Sequence, residues 1–155
     1  MDPSEIVHNV QSFIKSGQVD RAVAIATENL EFCTASYGSD NEYVAEAHRI
    51  LSIALRHRRE FDNALAHAES SVGIFSRSGA PVESVVKALN ALGLVHLEIG
   101  EADQCIDAFQ RALKKASDRN QKLQLSNNLV SIYRYFGDEA KAQEVYAYQE
   151  DLKSF

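Results

Sequence analysis

Four segments of this chain repeat one pattern, and that repetition limits the possible folds more than any single residue does. The first segment contains Ile6, Val10, Phe13, Gly17, Ala22 and Ala26. The second contains Leu51, Ser52, Leu55, Arg59, Ala64 and Ala68. The third contains Leu89, Leu92, Gly93, Gly100, Cys105, Phe109 and Ala112, and the fourth Leu129, Val130, Tyr133, Gly137, Ala142 and Tyr146. A small residue in the second half of each unit sets the register: Ala22, Ala64, Cys105, Ala142, at offsets of 42, 41 and 37 residues. Within each unit the apolar residues fall three and four apart, so each half is an amphipathic helix. One helix pair cannot bury its own apolar face, but stacked pairs seal one continuous core.

The punctuation agrees. Gly17, Gly100 and Gly137 stand between the two helices of three units, where a residue of positive φ ends one helix and turns the chain. The second unit has Arg59 at that place, which leaves its turn geometry open. Asp2-Pro3-Ser4-Glu5 reads as a cap, a first-turn proline and a capping-box glutamate. Asn41, Pro81, Asp118 and Asp138 mark later helix starts. The pattern predicts eight helices, at about 3–16, 18–36, 42–58, 61–77, 82–99, 102–116, 119–136 and 139–153. The expected fold is all-α: a right-handed α-solenoid of four helix-turn-helix repeats, eight antiparallel helices in all. The repeats cover about 3–38, 42–78, 82–117 and 119–153 within a single domain, 1–155.

Composition excludes several classes. Only 2 prolines and 7 glycines interrupt 155 residues, which favours long helices. No apolar run approaches the ~20 residues of a membrane span, so no membrane insertion is expected. The start has no basic segment followed by an apolar one, so no secretory signal is read. Cys33 and Cys105 are too few for a disulfide scaffold, and the expected setting is reduced and cytoplasmic. A net charge of −6 argues against a nucleic-acid partner.

The third unit carries a resemblance. Leu89, Leu92-Gly93, Gly100, Cys105, Phe109 and Ala112 resemble the tetratricopeptide repeat, whose pattern has tyrosine where His96 stands and alanine at Cys105. The fourth unit is similar through Leu129, Tyr133, Gly137, Ala142 and Tyr146. The 37- to 42-residue spacing exceeds the usual 34. With the Asn-Leu pairs, as in Leu125-Ser-Asn127-Asn128-Leu129, it looks like the variant of kinesin light chains. The resemblance implies a curved array whose first helices line a concave groove that captures a peptide or partner helix.

A second stripe on the first helices should face that groove. It supplies Val7, Gln11 and Ile14; Arg49, Ile53 and Arg56; Lys87, Asn90, Leu94 and Leu97; and Asn127, Ser131 and Arg134. Four cations there meet one anion, Glu46, in an acidic protein. The expected ligand is therefore acidic with an apolar anchor, bound through arginine–carboxylate pairs. Asn90 and Asn127, one unit apart, should hold its backbone. A heat-shock chaperone-tail clamp is not expected. Val7, Gln11, Ile50 and Ala91 occupy its lysine and asparagine places, and only Lys87 matches.

Nothing points to an enzyme, a cofactor or a metal. His8, His48, His57, His67 and His96 show neither an i,i+4 pair nor an HExxH arrangement. His96 is expected as a satisfied core histidine and Cys105 as a small buried hydrophobe, whereas Cys33 reads as a candidate surface thiol. The last helix carries Val145, Tyr146, Tyr148 and Leu152 with no later helix to cover them: either the chain is a fragment of a longer array or that end pairs with another protein, the expected case being a homodimer through this helix. The overall reading is a protein-interaction module, a scaffold, adaptor or chaperone-like binder, with a self-associating structural component that uses its terminal helix face as the alternative.

Overall fold

The computed structural model describes residues 2–154; Met1 and Phe155 lie outside the described residues. Eight helices follow one another: α1 (Pro3–Lys15), α2 (Val19–Tyr37), α3 (Glu42–His57), α4 (Phe61–Ser78), α5 (Val82–Ile99), α6 (Ala102–Lys115), α7 (Arg119–Tyr135) and α8 (Glu139–Lys153). No strand occurs among the described residues. Every boundary falls within one residue of the sequence reading, because capping side chains at four starts and left-handed residues after six helices mark most of the ends.

At the starts, side-chain carboxylates and an amide take up orphan backbone N–H groups. Asp2 accepts from Ser4 N at 2.9 Å, Asn41 from Tyr43 N at 2.9 Å, Asp118 from Gln121 N at 3.0 Å and Asp138 from Lys141 N at 3.0 Å. The capping box expected at Glu5 does not form, because Asp2 is taken by the backbone and hydroxyl of Ser4.

The turns within the four units are the same turn. Gln18 N donates to Phe13 O, Glu60 N to Leu55 O, Glu101 N to His96 O and Asp138 N to Tyr133 O, at 2.8–3.0 Å. This bond pattern needs a left-handed residue just before the donor. Gly17, Gly100 and Gly137 supply it, and in the second unit Arg59 does so at φ 66°. The turn thus survives the loss of glycine, at a cost of about 1–2 kcal/mol for an L-residue in that region. Arg59→Gly is expected to raise stability by about 0.5–1 kcal/mol, part of the relief being lost to the freer unfolded chain. Chemical denaturation reads the difference, and a less stable variant would contradict this account.

The core runs the length of the array. Ala22, Ala64, Cys105 and Ala142 are all fully buried, as the register residues should be where helices approach closely. In the third unit the approach is tightest. A Cβ on Gly93 of α5 would meet the ring of Phe109 of α6 at 2.5 and 2.7 Å. The first and third units use opposite sizes at these matched places: Val10 with Ala26, Gly93 with Phe109.

Each helix packs on its neighbours in the chain, and α1 also meets α3, and α3 meets α5. The series breaks at the last unit, where α7 stands off from α5. The second helix of the third unit is short, 14 residues against 19 in α2 and 18 in α4. The looser seam opens a cleft.

Candidate functional site

That cleft, about 380 Å³, lies between α5 and α7 and is lined by Arg49, Lys87, Asn90, Asn120, Gln121, Gln124, Asn128, Glu83, Asp118, Val86 and Leu125. Three expected groove residues, Arg49, Lys87 and Asn90, therefore meet in one place. Opposite them α7 presents four carboxamides, Asn120, Gln121, Gln124 and Asn128. Among the described residues, none of these four side chains or that of Asn90 is engaged in a hydrogen bond within the chain. Each carboxamide offers two donors and an acceptor, the complement of a peptide backbone.

The amide facing Asn90 is Asn128, not Asn127. The carboxamide of Asn127 is taken by the last helix, its Oδ1 accepting from Gln149 Nε2 at 2.7 Å. Gln149 is buried and also donates to Ser126 Oγ at 3.2 Å. Repeat register placed Asn127 beside Asn90 in role, but the stand-off of α7 turns its neighbour, Asn128, to the cleft instead.

The four cations each have a carboxylate partner. Arg49 forks onto Glu46, with Nε to Oε2 at 2.8 Å. Arg56 of α3 reaches Glu98 of α5 at 3.3 Å, Lys87 meets Glu83 at 3.1 Å, and Arg134 forks onto Glu139 at 3.3 Å on both oxygens. The excess of positive charge read from the stripe is thus balanced by Glu98, Glu83 and Glu139, which lie off that stripe. Hydrogen bonds from Gln143 and then from Arg134 hold the Glu139 carboxyl below its ordinary range.

The aliphatics are more deeply placed than the stripe implied. Val7, Ile14, Ile53, Leu94 and Leu97 are all half-buried, and all but Ile53 pack against the core. Gln11 and Ser131 are exposed, and Ser131 Oγ donates to the backbone oxygen of Asn127 at 3.1 Å.

On α8, Tyr146 and Tyr148 are 47% and 37% exposed, while Val145 and Leu152 are half-buried. At 100° per residue Tyr146 lies about 100–160° around the helix from Val145, Leu152 and Tyr148, off their stripe. Lys153 covers part of the Tyr146 ring, its Nζ 5.9 Å from the centroid.

His96 is buried and its Nδ1 lies 2.6 Å from Glu101 Oε2, as expected of a satisfied core histidine. Cys105 is buried, and desolvation pushes its thiol up to about 11. Cys33 is not a surface thiol: it is buried and lies 3.7 Å from Asn29 Oδ1. Sequence spacing gave no hint of a further pair. His48 of α3 and His67 of α4, 19 residues apart, bring their Nδ1 atoms to 2.8 Å. Burial, then the neighbouring His67, lowers His48 to about 4, and burial lowers His67 also. Among the described residues, no group of three or more His, Cys, Asp or Glu side chains converges. No helix of the described residues is long and apolar enough to cross a membrane.

No protein-family model and no curated protein matches this chain. Solved structures do. The chain is similar to the kinesin light chain TPR-like repeats of Podosopora anserina (TM-score 0.85, 15% identity, covering 99% of this chain and 77% of that one). It is similar to BtubC (BKLC) from P. vanneervenii (TM-score 0.81, 19% identity, 99% and 65%) and to MamA (TM-score 0.69, 16% identity, 99% and 79%). The chain thus spans about two thirds of the length of BtubC. At these identities the likeness speaks to architecture, and in architecture the agreement spans the whole chain: this protein has the fold of a tetratricopeptide-like repeat solenoid.

Proposed function

We propose that this solenoid is a protein-interaction module that captures an extended peptide segment along its first helices, acting as a scaffold or adaptor and not as an enzyme. The observation that supports this most is the set of free carboxamides in the α5–α7 cleft, Asn90 facing Asn120, Gln121, Gln124 and Asn128. An exposed amide loses nothing by staying hydrated, but five of them converging on one cleft suit a ligand that presents backbone groups of both polarities. Arg49 and Lys87 at its rim favour a ligand carboxylate, and the half-buried Leu94 and Leu97 offer partial cover to an apolar side chain.

Selection from a displayed random-peptide library tests the reading. Enriched sequences should carry Asp or Glu near an aliphatic residue. Against one enriched peptide, Asn90→Ala combined with Asn128→Ala should weaken binding about 10-fold or more, two amide hydrogen bonds contributing ~1 kcal/mol each. Charge reversal at Arg49, Arg56 and Arg134 should weaken it further. Unchanged affinity in both sets of variants would remove the groove from consideration.

A second reading, self-association through α8, rests on the exposure of Tyr148 on the same face as the half-buried Val145 and Leu152, Tyr146 standing on the far side of the helix. Sedimentation equilibrium decides it. A monomer at the highest attainable concentration removes this reading and leaves the first intact.

A further inference from the structure

We propose that His48 and His67 form a two-histidine site for a borderline divalent transition-metal ion, of the class of Zn²⁺, Co²⁺ or Ni²⁺, clasping α3 to α4. The two imidazoles come from different helices of one unit and point the same ring atom at each other, with Nδ1 to Nδ1 at 2.8 Å, the centroids 5.0 Å apart and the planes tilted by 32°. Without metal, one ring donates Nδ1–H and the other accepts. If the donor ring shifts its proton to Nε2, both Nδ1 lone pairs are free, and a rotation of each ring would aim them at one ion beside the line that joins the two nitrogens. This shift keeps both rings neutral, so the metal enters without a net loss of protons.

The distances fit an ion with a modest adjustment. Zinc–imidazole bonds are about 2.0–2.1 Å, and a tetrahedral angle between two of them separates the nitrogens by about 3.3 Å. The rings must part by roughly 0.5 Å, which side-chain rotation can supply. Both rings are half-buried, and burial disfavours their protonated forms, so protons compete weakly for the lone pairs.

His48, though not His67, lines a cleft of about 520 Å³ together with Ser39, Asp40, Glu69, Ser70 and Arg77, among others. It has space and polarity for the water molecules that would complete the coordination shell. Arg77 is turned to Asp40, at 2.8 Å, and forms no ion pair with Glu69. No third side chain stands in ligating range among the described residues, so the site is a two-ligand one. Nitrogen donors select this metal class over Mg²⁺ and Ca²⁺, which prefer oxygen. Two ligands supply about half the binding free energy of a four-ligand structural site, giving a dissociation constant on the order of 10 µM.

The test uses the intact chain. Calorimetric titration with Zn²⁺ should show one equivalent bound, with Mg²⁺ giving no heat. Histidine ring resonances followed by NMR during addition of Co²⁺ should broaden selectively at His48 and His67, leaving the exposed His8 and His57 sharp. His48→Gln and His67→Gln should each weaken Zn²⁺ binding at least tenfold. Equal broadening at His8 and His57, no broadening at His48 and His67, or undiminished Zn²⁺ binding in the folded variants would overturn the proposal. The wild-type NMR result stands even where a variant fails to fold.

Discussion

Gly93→Ala should destabilise this protein by about 1–3 kcal/mol, the opposite of what the same change does at most helix positions. In a helix interior alanine is ordinarily favoured over glycine by about 1 kcal/mol. Here the added methyl would lie 2.5 and 2.7 Å from two carbons of the Phe109 ring. Phe109 is fully buried, so its ring has nowhere to swing, and the strain must spread into the α5–α6 seam. For a chain of this size the melting temperature should fall by about 3–10 °C. Phe109→Leu alone should also destabilise, by leaving space unfilled. Together the two changes should cost less than their sum by at least about 1 kcal/mol, because each relieves the other. A stabilised Gly93→Ala variant, or strict additivity in the double-mutant cycle, would show that the close approach is not what holds glycine there.

Stability should also fall as the solution is acidified from about pH 6.5 to pH 4. The sign follows from His48. Its folded-state value is lowered from 6.5 to about 4, so the folded protein binds fewer protons there than the unfolded chain. The contribution is therefore fully present above pH 6.5 and is lost progressively as pH falls through 4. His67 is shifted in the same direction. Asp40, Glu69 and Arg77 share the neighbouring cleft, but none forms an ion pair with either ring, so no carboxylate offsets the cost of charging them. After allowance for solvent screening at this half-buried site, the loss should be about 1–2 kcal/mol. The lowered carboxyls of Glu60 and Glu139 lose their contribution only as pH falls from about 4.5 downward, so they overlap just the acid end of the His48 window. Urea denaturation at a series of pH values measures the slope. His48→Gln should flatten it, and superimposable wild-type and variant curves between pH 6.5 and 4 would refute the assignment.

The architecture was legible because its signals are local. Glycines in the turns, carboxylates at the helix starts and apolar residues three and four apart each act within a few residues of where they stand. Only at Arg59 was the turn left open, because no local signal says that this residue takes the left-handed backbone that glycine takes in the other units. The site was only half legible. Arg49, Lys87 and Asn90 could be placed on one stripe from spacing alone, but Glu98 lies 42 residues from Arg56, and its pairing depends on how α3 and α5 sit together. The exchange of Asn127 for Asn128 has the same origin. Register equates Asn127 with Asn90, yet the stand-off of α7 decides which side chain meets the cleft. The pair of His48 and His67 carries no spacing signature at all, because its two members belong to different helices.

The internal partners of the groove cations set how a guest would be received. A ligand carboxylate arriving at Lys87 or Arg49 releases Glu83 or Glu46 to water instead of adding a new ion pair. Ionic strength then weakens the departing pair and the arriving pair alike. Capture of an acidic guest would then be an exchange of counter-ions with a shallow dependence on salt, in which the guest's carboxylate is still required and the spacing of its amides sets the fit.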